Sequence, residues 1–286
     1  MAQFDLKIAL AHQRVDAARA LKRPFSYPPG CGPTGHEQII GTGEHDATPV
    51  GHELGLVTVG CHLPGYHGEM SLAHFVRRYL PPPPAHVPEI GCGPVGDLTY
   101  AISAAGYDIV AVDPVAPEGP LIRRIPFEDF TEPGPFDAVV ASLSMHHIAD
   151  LTRTAAAIVG LLVPGGRFIL EEWDRERLLD ETTARWYFHQ RQAAAATGLL
   201  AEHAPLPPHY AEWRRSWLAD HGDLHGYTAM RAQLMAPFRE RFFTWKPYLY
   251  RYGLHESLEP LERALIEEGA IQATGFRWVG ERTPPS

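Results

Sequence analysis

Two adjacent histidines, His146 and His147, are well suited to proton transfer. A free imidazole titrates at about pH 6.5, so either ring can take a proton at neutral pH. Both follow the apolar segment Phe136–Ser142, which has the composition of a buried strand. Ligands of open α/β sheets bind at the carboxyl ends of strands, so we interpret both as candidate general bases. Alternatively, one begins the next helix and the other packs against a ligand.

A glycine-rich turn lies upstream of these histidines. The apolar segment His86–Ile90 runs into Gly91 and Gly93, and Asp113 ends the next apolar segment. Glycine has no Cβ and tolerates positive φ, so the backbone N–H groups of such a turn can approach an anionic or carboxylate-bearing ligand. An acidic residue about twenty positions later is suited to bind ribose hydroxyls. The stretch therefore predicts a nucleoside-cofactor site.

Two cofactor classes fit this turn, and Glu89 favours one of them. Gly91, Gly93 and Gly96 spell the dinucleotide fingerprint, which predicts an apolar residue where Glu89 stands. A carboxylate there repels a diphosphate but attracts a ligand ammonium group, directly or through water. A ligand with ribose, adenine and an amino-acid moiety fits that polarity, and S-adenosylmethionine has these parts.

Strand-like and helix-like segments alternate between residues 71 and 173. Apolar residues at helical spacing predict helices near 71–80, 98–105 and 149–163. Short apolar runs predict strands at 86–90, 108–113, 121–125, 136–142 and 167–170. This alternation predicts an α/β fold, with a mainly parallel sheet and helices on both faces.

The remaining segments differ in character from this core. Residues 1–70 predict a helix over 2–23 and an irregular arm, with Met70 as an alternative start site. Residues 174–256 predict an inserted helical cap, in which the stretch 242–252 is extended or irregular. Residues 257–286 predict a helix and a strand, about 271–279, that complete the core. The cap aromatics can line a pocket for a planar or cationic acceptor, although helical spacing favours ordinary core packing. They are Trp186, Tyr187, Trp213, Trp217, Trp245, Tyr248 and Tyr250.

Composition narrows the classes of partner. The chain of 286 residues is 45% hydrophobic, enough to bury a large core. Its net charge of −9 disfavours nucleic acid as a partner. Three cysteines, Cys31, Cys61 and Cys92, fit a reducing compartment better than a disulfide framework, and no apolar run is long enough to span a membrane. We therefore expect a soluble cytoplasmic protein.

Four successive motifs resemble those of class I S-adenosylmethionine-dependent methyltransferases. They are Glu89-Ile-Gly-Cys-Gly93, Val112-Asp113, the segment 135–148 and Leu162-Val-Pro-Gly-Gly-Arg-Phe-Ile169. The resemblance covers roughly residues 71–172 and implies a Rossmann-like fold that binds S-adenosylmethionine. One departure concerns the turn: many members have glycine where this chain has Val95, and Gly96 follows.

The resemblance also implies residue roles. Glu89 and the turn Gly91-Cys92-Gly93 would hold the methionine end of the cofactor, and Asp113 the ribose. Phe127 and Glu128 would contact adenine, through backbone and side chain respectively, although a solvated Glu128 is the alternative. Ser142 and Leu143 would face the cofactor through their backbone.

No metal site is expected. Glu171 and Glu172 follow the fifth predicted strand, but adjacent strand residues point to opposite faces and disfavour joint ligation. Cys61, His62 and His67 have no matching second half of a zinc site.

The sequence therefore predicts an S-adenosylmethionine-dependent methyltransferase acting on an oxygen or nitrogen atom of a small molecule. The alternatives are a protein or RNA methyltransferase, a non-catalytic cofactor-binding regulator and, with Glu89 against it, a nicotinamide oxidoreductase.

Overall fold

The structure is a computed structural model that describes residues 70–197 and 206–283. The predicted N-terminal helix (2–23) and irregular arm lie outside these residues, as do Cys31, Cys61, His62 and His67. The division of the chain into an N-terminal arm, core, cap and C-terminal segment stays a prediction.

Within the described residues, seven strands form one sheet in the order β3-β2-β1-β4-β5-β7-β6. They are β1 (His86–Ile90), β2 (Asp108–Val112), β3 (Ile122–Arg123), β4 (Phe136–Ser142), β5 (Leu162–Trp173), β6 (Phe238–Lys246) and β7 (Gly275–Arg282). Strands β1 to β5 pair in parallel, and β7 pairs antiparallel with both β5 and β6. The predicted mainly parallel α/β sheet is confirmed.

Helices connect these strands. They are α1 (Leu72–Tyr79), α2 (Asp97–Ala104), α3 (Leu151–Leu161), α4 (Arg175–Leu178), α5 (Glu181–Ala196), α6 (Tyr210–His221), α7 (Tyr227–Ala229), which continues into a π-helical turn (Met230–Leu234), and α8 (Glu259–Glu267). Asp150, Asp174 and Asp180 begin α3, α4 and α5, and each carboxylate accepts a backbone N–H of the first turn. These caps satisfy donors that have no partner inside the helix.

The central strands bury residues on both faces. Val87 and Val140 belong to a core that includes residues of α1 and α2, whereas Ile90 and Leu170 belong to a second core with α3. Because both faces are covered, these strands read as nearly continuous apolar runs in the sequence. Helices on both faces of the sheet, as predicted, complete the Rossmann-like arrangement.

The order of the strands places a crevice at one edge of the sheet. Strand β1 lies between β2 on one side and β4 on the other, so consecutive connections diverge from it. In open α/β sheets the crevice at such a switch point, outside the carboxyl ends of the strands, is where ligands bind. The glycine turn after β1 and the histidines after β4 therefore lie at the same edge.

Strand β6 is a difference from the sequence prediction. The sequence predicts a helical cap to residue 256 with an extended or irregular stretch at 242–252, whereas Phe238–Lys246 is a strand paired along β7. A register shift between Glu240 and Phe242 breaks the two-residue periodicity of this strand, which conceals it in the sequence. Pro247 follows the strand and does not interrupt it.

Most of the cap aromatics pack against one another. Trp173 stacks on Tyr248 and Tyr252, with ring centroids 5.7 and 5.2 Å apart, and meets Trp217 edge to face. Tyr187, Trp213, Trp217 and Tyr248 are buried in this cluster, Trp186 packs against it, and Trp245 packs against the core that contains α3. The helical spacing therefore reflects core packing, although the cluster begins where β5 ends.

Candidate active site

The glycine turn after β1 is packed tightly on one side. Gly91 has φ +78°, and a Cβ built on it would lie 2.2 Å from the Ser144 Cβ. The Ser144 hydroxyl donates to the Ile90 carbonyl at 2.9 Å, so the loop after β4 is fastened to the turn after β1. A side chain at position 91 would separate the two loops.

The opposite side of the turn is open. Gly93 has φ +66°, and a Cβ built there would meet nothing within 4 Å. Gly96, also at φ +66°, immediately precedes α2, where a Cβ would approach Ile122 to 2.8 Å. Val95 is 45% exposed. The departure in the motif therefore places a glycine where α2 begins.

Glu89 lies beneath this turn and is only 1% exposed. Its carboxylate accepts a hydrogen bond of 2.5 Å from the Thr99 hydroxyl on α2. Burial raises the pKa of Glu89 to about 7; the Thr99 hydrogen bond opposes this rise, and the nearby Asp113 charge adds to it. A cationic ligand group would stabilise the ionised form, as the predicted contact with a ligand ammonium requires.

Asp113 directly follows β2, and its carboxylate accepts hydrogen bonds from the backbone of the neighbouring turns. Its Oδ2 accepts the Gly93 N–H at 2.9 Å, and its Oδ1 accepts the N–H groups of Val115 and Ala116 at 2.9 Å each. The second glycine of the turn therefore donates to Asp113, which the sequence analysis did not predict. A carboxylate has about four acceptor positions, so one is left for a ribose hydroxyl.

Cys92 lies between the two glycines and is partly buried. Burial raises the pKa of its thiol to about 12, and the charges of Glu89 and Asp113 add to the rise. A neutral thiol is a poor nucleophile, so Cys92 contributes shape to the turn rather than covalent chemistry.

The predicted adenine contacts lie in a 3-10 turn after β3. Phe127 is 7% exposed and belongs to the core with α3, whereas Glu128 is exposed at the surface. Both line a depression of about 200 Å³ with Phe130 and residues of α3. Exposure leaves Glu128 accessible to a ligand amine, and its predicted role stays a prediction.

The end of β4 has unusual backbone geometry. Ser142 is the last residue of the strand and pairs with Glu171. Leu143 then adopts φ +51°, and its N–H donates to the Glu171 carbonyl at 2.9 Å. A leucine in the left-handed region is strained, and such strain is concentrated at functional sites. After this turn the chain passes the end of β1, where Ser144 contacts the Ile90 carbonyl.

His146 is held on both sides by protein groups. Its Nδ1 lies 2.7 Å from Glu172 Oε2, and its Nε2 lies 3.3 Å from the indole nitrogen of Trp173. Because an indole N–H only donates, Nε2 accepts and Nδ1 carries the proton that Glu172 accepts. This arrangement uses both ring nitrogens and does not favour His146 as the base.

His147 is half-buried next to His146, with ring centroids 4.1 Å apart. Both residues lie in a 3-10 turn, Met145–His147, so neither begins the following helix. The Met145 N–H donates to Glu172 Oε1 at 2.6 Å, which fixes the start of that turn. His147 is thus the histidine of the pair that stays a candidate base.

Glu171 and Glu172 point to opposite faces of β5, as their adjacency predicted. Glu172 binds the His146 turn, whereas Glu171 pairs with Arg277 at 2.6 Å, Arg251 at 3.0 Å and Lys246 at 3.5 Å. Burial alone would raise the pKa of Glu171, but the three cations outweigh it and hold that pKa below its usual range. The two carboxylates therefore contact different protein groups.

The sequence alone did not identify four side chains that make contacts around the candidate site. They are Thr99, Ser144, Trp173 and Tyr252. The Tyr252 hydroxyl lies 2.8 Å from His221 Nε2, and the His221 Nδ1 lies 3.0 Å from the Trp217 carbonyl. Only Thr99 has a local signal, since it lies in the first turn of the helix that follows the glycine turn. The other contacts join segments distant in sequence, and no local pattern marks them.

The residues present fit S-adenosylmethionine. The open space beside Gly93 admits a ligand, the buried Glu89 carboxylate suits a cationic amino group, and Asp113 retains one acceptor position for a ribose hydroxyl. Glu89, Gly93 and Asp113 would hold the cofactor, and the 143–147 loop would face its reactive end.

Comparison with known proteins agrees with this geometry. Residues 66–206 match a family model described as a methyltransferase domain. A ubiquinone biosynthesis O-methyltransferase of Xylella fastidiosa is 27% identical over 201 residues, which cover 57% of this chain and 80% of that protein. The protein of the same name from Xanthomonas axonopodis is 30% identical over 117 residues, which cover 35% of this chain and 48% of that protein.

A solved S-adenosylmethionine-dependent methyltransferase from Methanosarcina mazei is 15% identical, with a TM-score of 0.45, and the match covers 74% of this chain and 98% of that chain. The sequence prediction of the family is confirmed by the match to the methyltransferase domain. Residues 66–206 of this enzyme thus form a methyltransferase domain, as the sequence predicted.

Proposed function

We propose that this enzyme transfers a methyl group from S-adenosylmethionine to an oxygen or nitrogen atom of a small molecule bound at the carboxyl edge of the sheet. The supporting observation is the loop 143–147. It contacts the glycine turn through Ser144 and carries His146 and His147 at its end. One loop therefore connects the region that would hold the cofactor with the candidate base.

The bound cofactor supplies an already activated methyl group, so the protein has to position the acceptor and take its proton where one must be lost. In this proposal His147 takes that proton. His146 acts as a positioning residue, since Glu172 and Trp173 engage both of its ring nitrogens. The aromatic cluster beyond Trp173 excludes water from one side of the site.

Two observations support a small acceptor. The net charge of −9 opposes binding to RNA. Both curated relatives are named ubiquinone biosynthesis O-methyltransferases, which favours an oxygen atom as the acceptor and makes phenols the first compounds to screen. A screen with labelled methyl donor would include protein substrates, and exclusive labelling of a protein would replace the small-molecule proposal.

Cofactor binding is tested by isothermal titration calorimetry with S-adenosylhomocysteine and with NADH. We expect binding of the first alone. Binding of NADH alone would contradict the proposal and the assigned cofactor.

The role of His147 is tested by His147→Ala, with the exposed His189→Ala as the control variant. General-base catalysis contributes about 10²- to 10⁴-fold, so we expect a loss of kcat in that range with little change in cofactor affinity. Unchanged kcat across pH would remove His147 from the mechanism.

We further propose that the protein works in the cytoplasm, as its cysteine content suggests; cell fractionation tests this. No helix in the described parts of the chain is long and apolar enough to cross a membrane.

A further inference from the structure

A depression of about 400 Å³ lies between the end of α1 and strands β5 and β6. It is lined by Arg78, Tyr79, Arg167, Glu240 and Arg241. Its volume falls within the range of small-molecule sites. None of the residues predicted to bind the cofactor or the acceptor lines it.

The depression is at the opposite edge of the sheet from the glycine turn. Arg167 pairs with Ala138 near the start of β4, whereas Ser142 at the end of that strand pairs with Glu171. Four residues of a strand span roughly 13 Å. The depression is therefore a separate site.

Positive charge is concentrated around this depression. Arg239 and Arg241 both pair with Glu281, the latter at 3.3 Å. The pKa of Glu281 is held below its usual range, first by the hydrogen bond from Arg239 and then by the charges of Arg239, Arg241 and Arg167. The single carboxylate of Glu281 thus interacts with several guanidinium groups.

The glutamate in the lining is itself neutralised from outside the depression. Glu240 pairs with Arg231 and accepts the indole N–H of Trp278 at 3.1 Å. Among the described lining residues and their linked ion-pair partners there are five arginines and two glutamates. The excess of three positive charges contrasts with the net charge of −9 for the whole chain.

Arg167 is held in place within this lining. Its Nη1 donates to the Tyr79 carbonyl at 2.6 Å, which joins the end of α1 to β5. A fixed guanidinium loses little conformational entropy when it binds an anion, and its planar donors match phosphate oxygens.

We propose that this depression binds a small anion of the phosphate type, as a phosphate monoester or pyrophosphate group. The lining and its linked ion-pair partners carry an excess of three positive charges, which a phosphate-type dianion would largely balance. A phosphate monoester carries about −1.5 to −2 charges at neutral pH and has three strong acceptor oxygens. This proposal does not depend on the identity of the methyl acceptor.

The test is isothermal titration of the full chain with inorganic pyrophosphate in about 0.15 M salt, where exposed charges are screened beyond roughly 8 Å. Saturating S-adenosylhomocysteine is included to block the cofactor site. We expect binding that weakens at least about tenfold in Arg78→Gln/Arg241→Gln, because both exposed arginines line the depression. Arg185→Gln/Arg215→Gln removes two arginines outside the lining and should bind like the wild type.

Absence of binding to the wild type, or equal weakening in both double variants, would overturn the proposal. A further arm measures co-sedimentation with phosphatidylcholine vesicles that contain phosphatidic acid. If vesicles bind through Arg78 and Arg241 while soluble pyrophosphate does not, the site is a membrane-surface contact and the small-anion proposal is wrong.

Discussion

Glu89 is a buried carboxylate whose protonation changes near neutral pH. Burial raises its pKa to about 7, which lies above the unfolded value of 4.5. Its contribution to stability is therefore fully present below about pH 4.5 and is lost as the pH rises through about 7. A bound ammonium group would reverse this preference, because it stabilises the ionised carboxylate.

We predict that affinity for S-adenosylmethionine rises roughly five- to tenfold between about pH 6 and pH 7.5, since the free protein must release the Glu89 proton to bind it. In Glu89→Gln this dependence should disappear. Isothermal titration across that pH range measures it, with Glu128→Gln as a control that keeps the buried carboxylate. A Glu89→Gln protein with the wild-type slope would show that another group titrates.

The two glycines of the turn differ in what surrounds them. Alanine at Gly91 would meet Ser144 at 2.2 Å, and alanine at Gly93 would meet nothing, although both residues have positive φ. We expect Gly93→Ala to cost about 1 kcal/mol of unfolding free energy from backbone strain, and Gly91→Ala about 2–4 kcal/mol because overpacking adds to that strain.

Urea denaturation measures these stabilities. Calorimetry should in addition show that Gly93→Ala, while folded, binds S-adenosylhomocysteine more weakly, because its methyl group enters the space proposed for the ligand. Equal stabilities of the two variants would contradict the packing argument.

At the level of single residues, the sequence predicted which residue types occupy the candidate site better than it predicted their contacts. Spacing and charge single out Glu89 and Asp113 as candidate cofactor contacts, and those roles stay predictions. The sequence could not show that Gly93 donates to Asp113 or that Glu172 engages His146, since both contacts depend on how separate strand ends meet.

Among the helices and strands, α8 holds residues 248–250 in place. The nearby Tyr252 packs against the aromatic cluster. Glu262 of α8 is 0% exposed and accepts the N–H groups of Tyr248, Leu249 and Tyr250 at 2.8–3.0 Å. Burial raises the pKa of Glu262, and these hydrogen bonds offset part of the rise. The carboxylate satisfies three backbone donors that would otherwise be buried without a partner.

We predict that Glu262→Ala lowers the free energy of unfolding by about 3 kcal/mol, because unsatisfied buried donors cost about 1–3 kcal/mol each and relaxation recovers part of this. Thermal unfolding should show a decrease in Tm of roughly 6–12 °C for a protein of this size. Glu267→Ala, an exposed change on the same helix, should shift Tm very little. Equal effects would assign the loss to the helix rather than to the hydrogen bonds.

The elements that the sequence predicted share a property that β6 lacks. Strands β1, β2 and β4 are short apolar runs between turn residues, and their burial on both faces produces that pattern. Strand β6 is an edge strand with charged residues and a bulge, and it depends on pairing with β7. Since that pairing is non-local, its formation could not be inferred from the segment alone.

For the molecule as a whole, Arg277 joins distant parts of the chain. From β7 it donates to Glu171 on β5 at 2.6 Å and to the carbonyl of Met70 at 2.7 Å, and its guanidinium lies 4.9 Å from the centre of the Phe75 ring. It therefore links the first described residue and α1 to the antiparallel half of the sheet. The lowered pKa of Glu171 means that its stabilising effect is present above its unfolded pKa and is lost as the pH falls through the lower folded value.

We predict that Arg277→Met lowers the free energy of unfolding by about 3–5 kcal/mol, because removing one partner leaves a buried charge less compensated. This corresponds to a decrease in Tm of roughly 6–20 °C. Arg277→Lys should recover only part of the loss, since an ammonium group cannot reproduce the fork of contacts to Glu171 and Met70. The exposed Arg215→Met serves as the control.

In the double variant Glu171→Gln/Arg277→Met the loss of unfolding free energy should be smaller than the sum of the two single losses, because the residues are in direct contact. Additive losses would show instead that Arg277 acts through α1 alone.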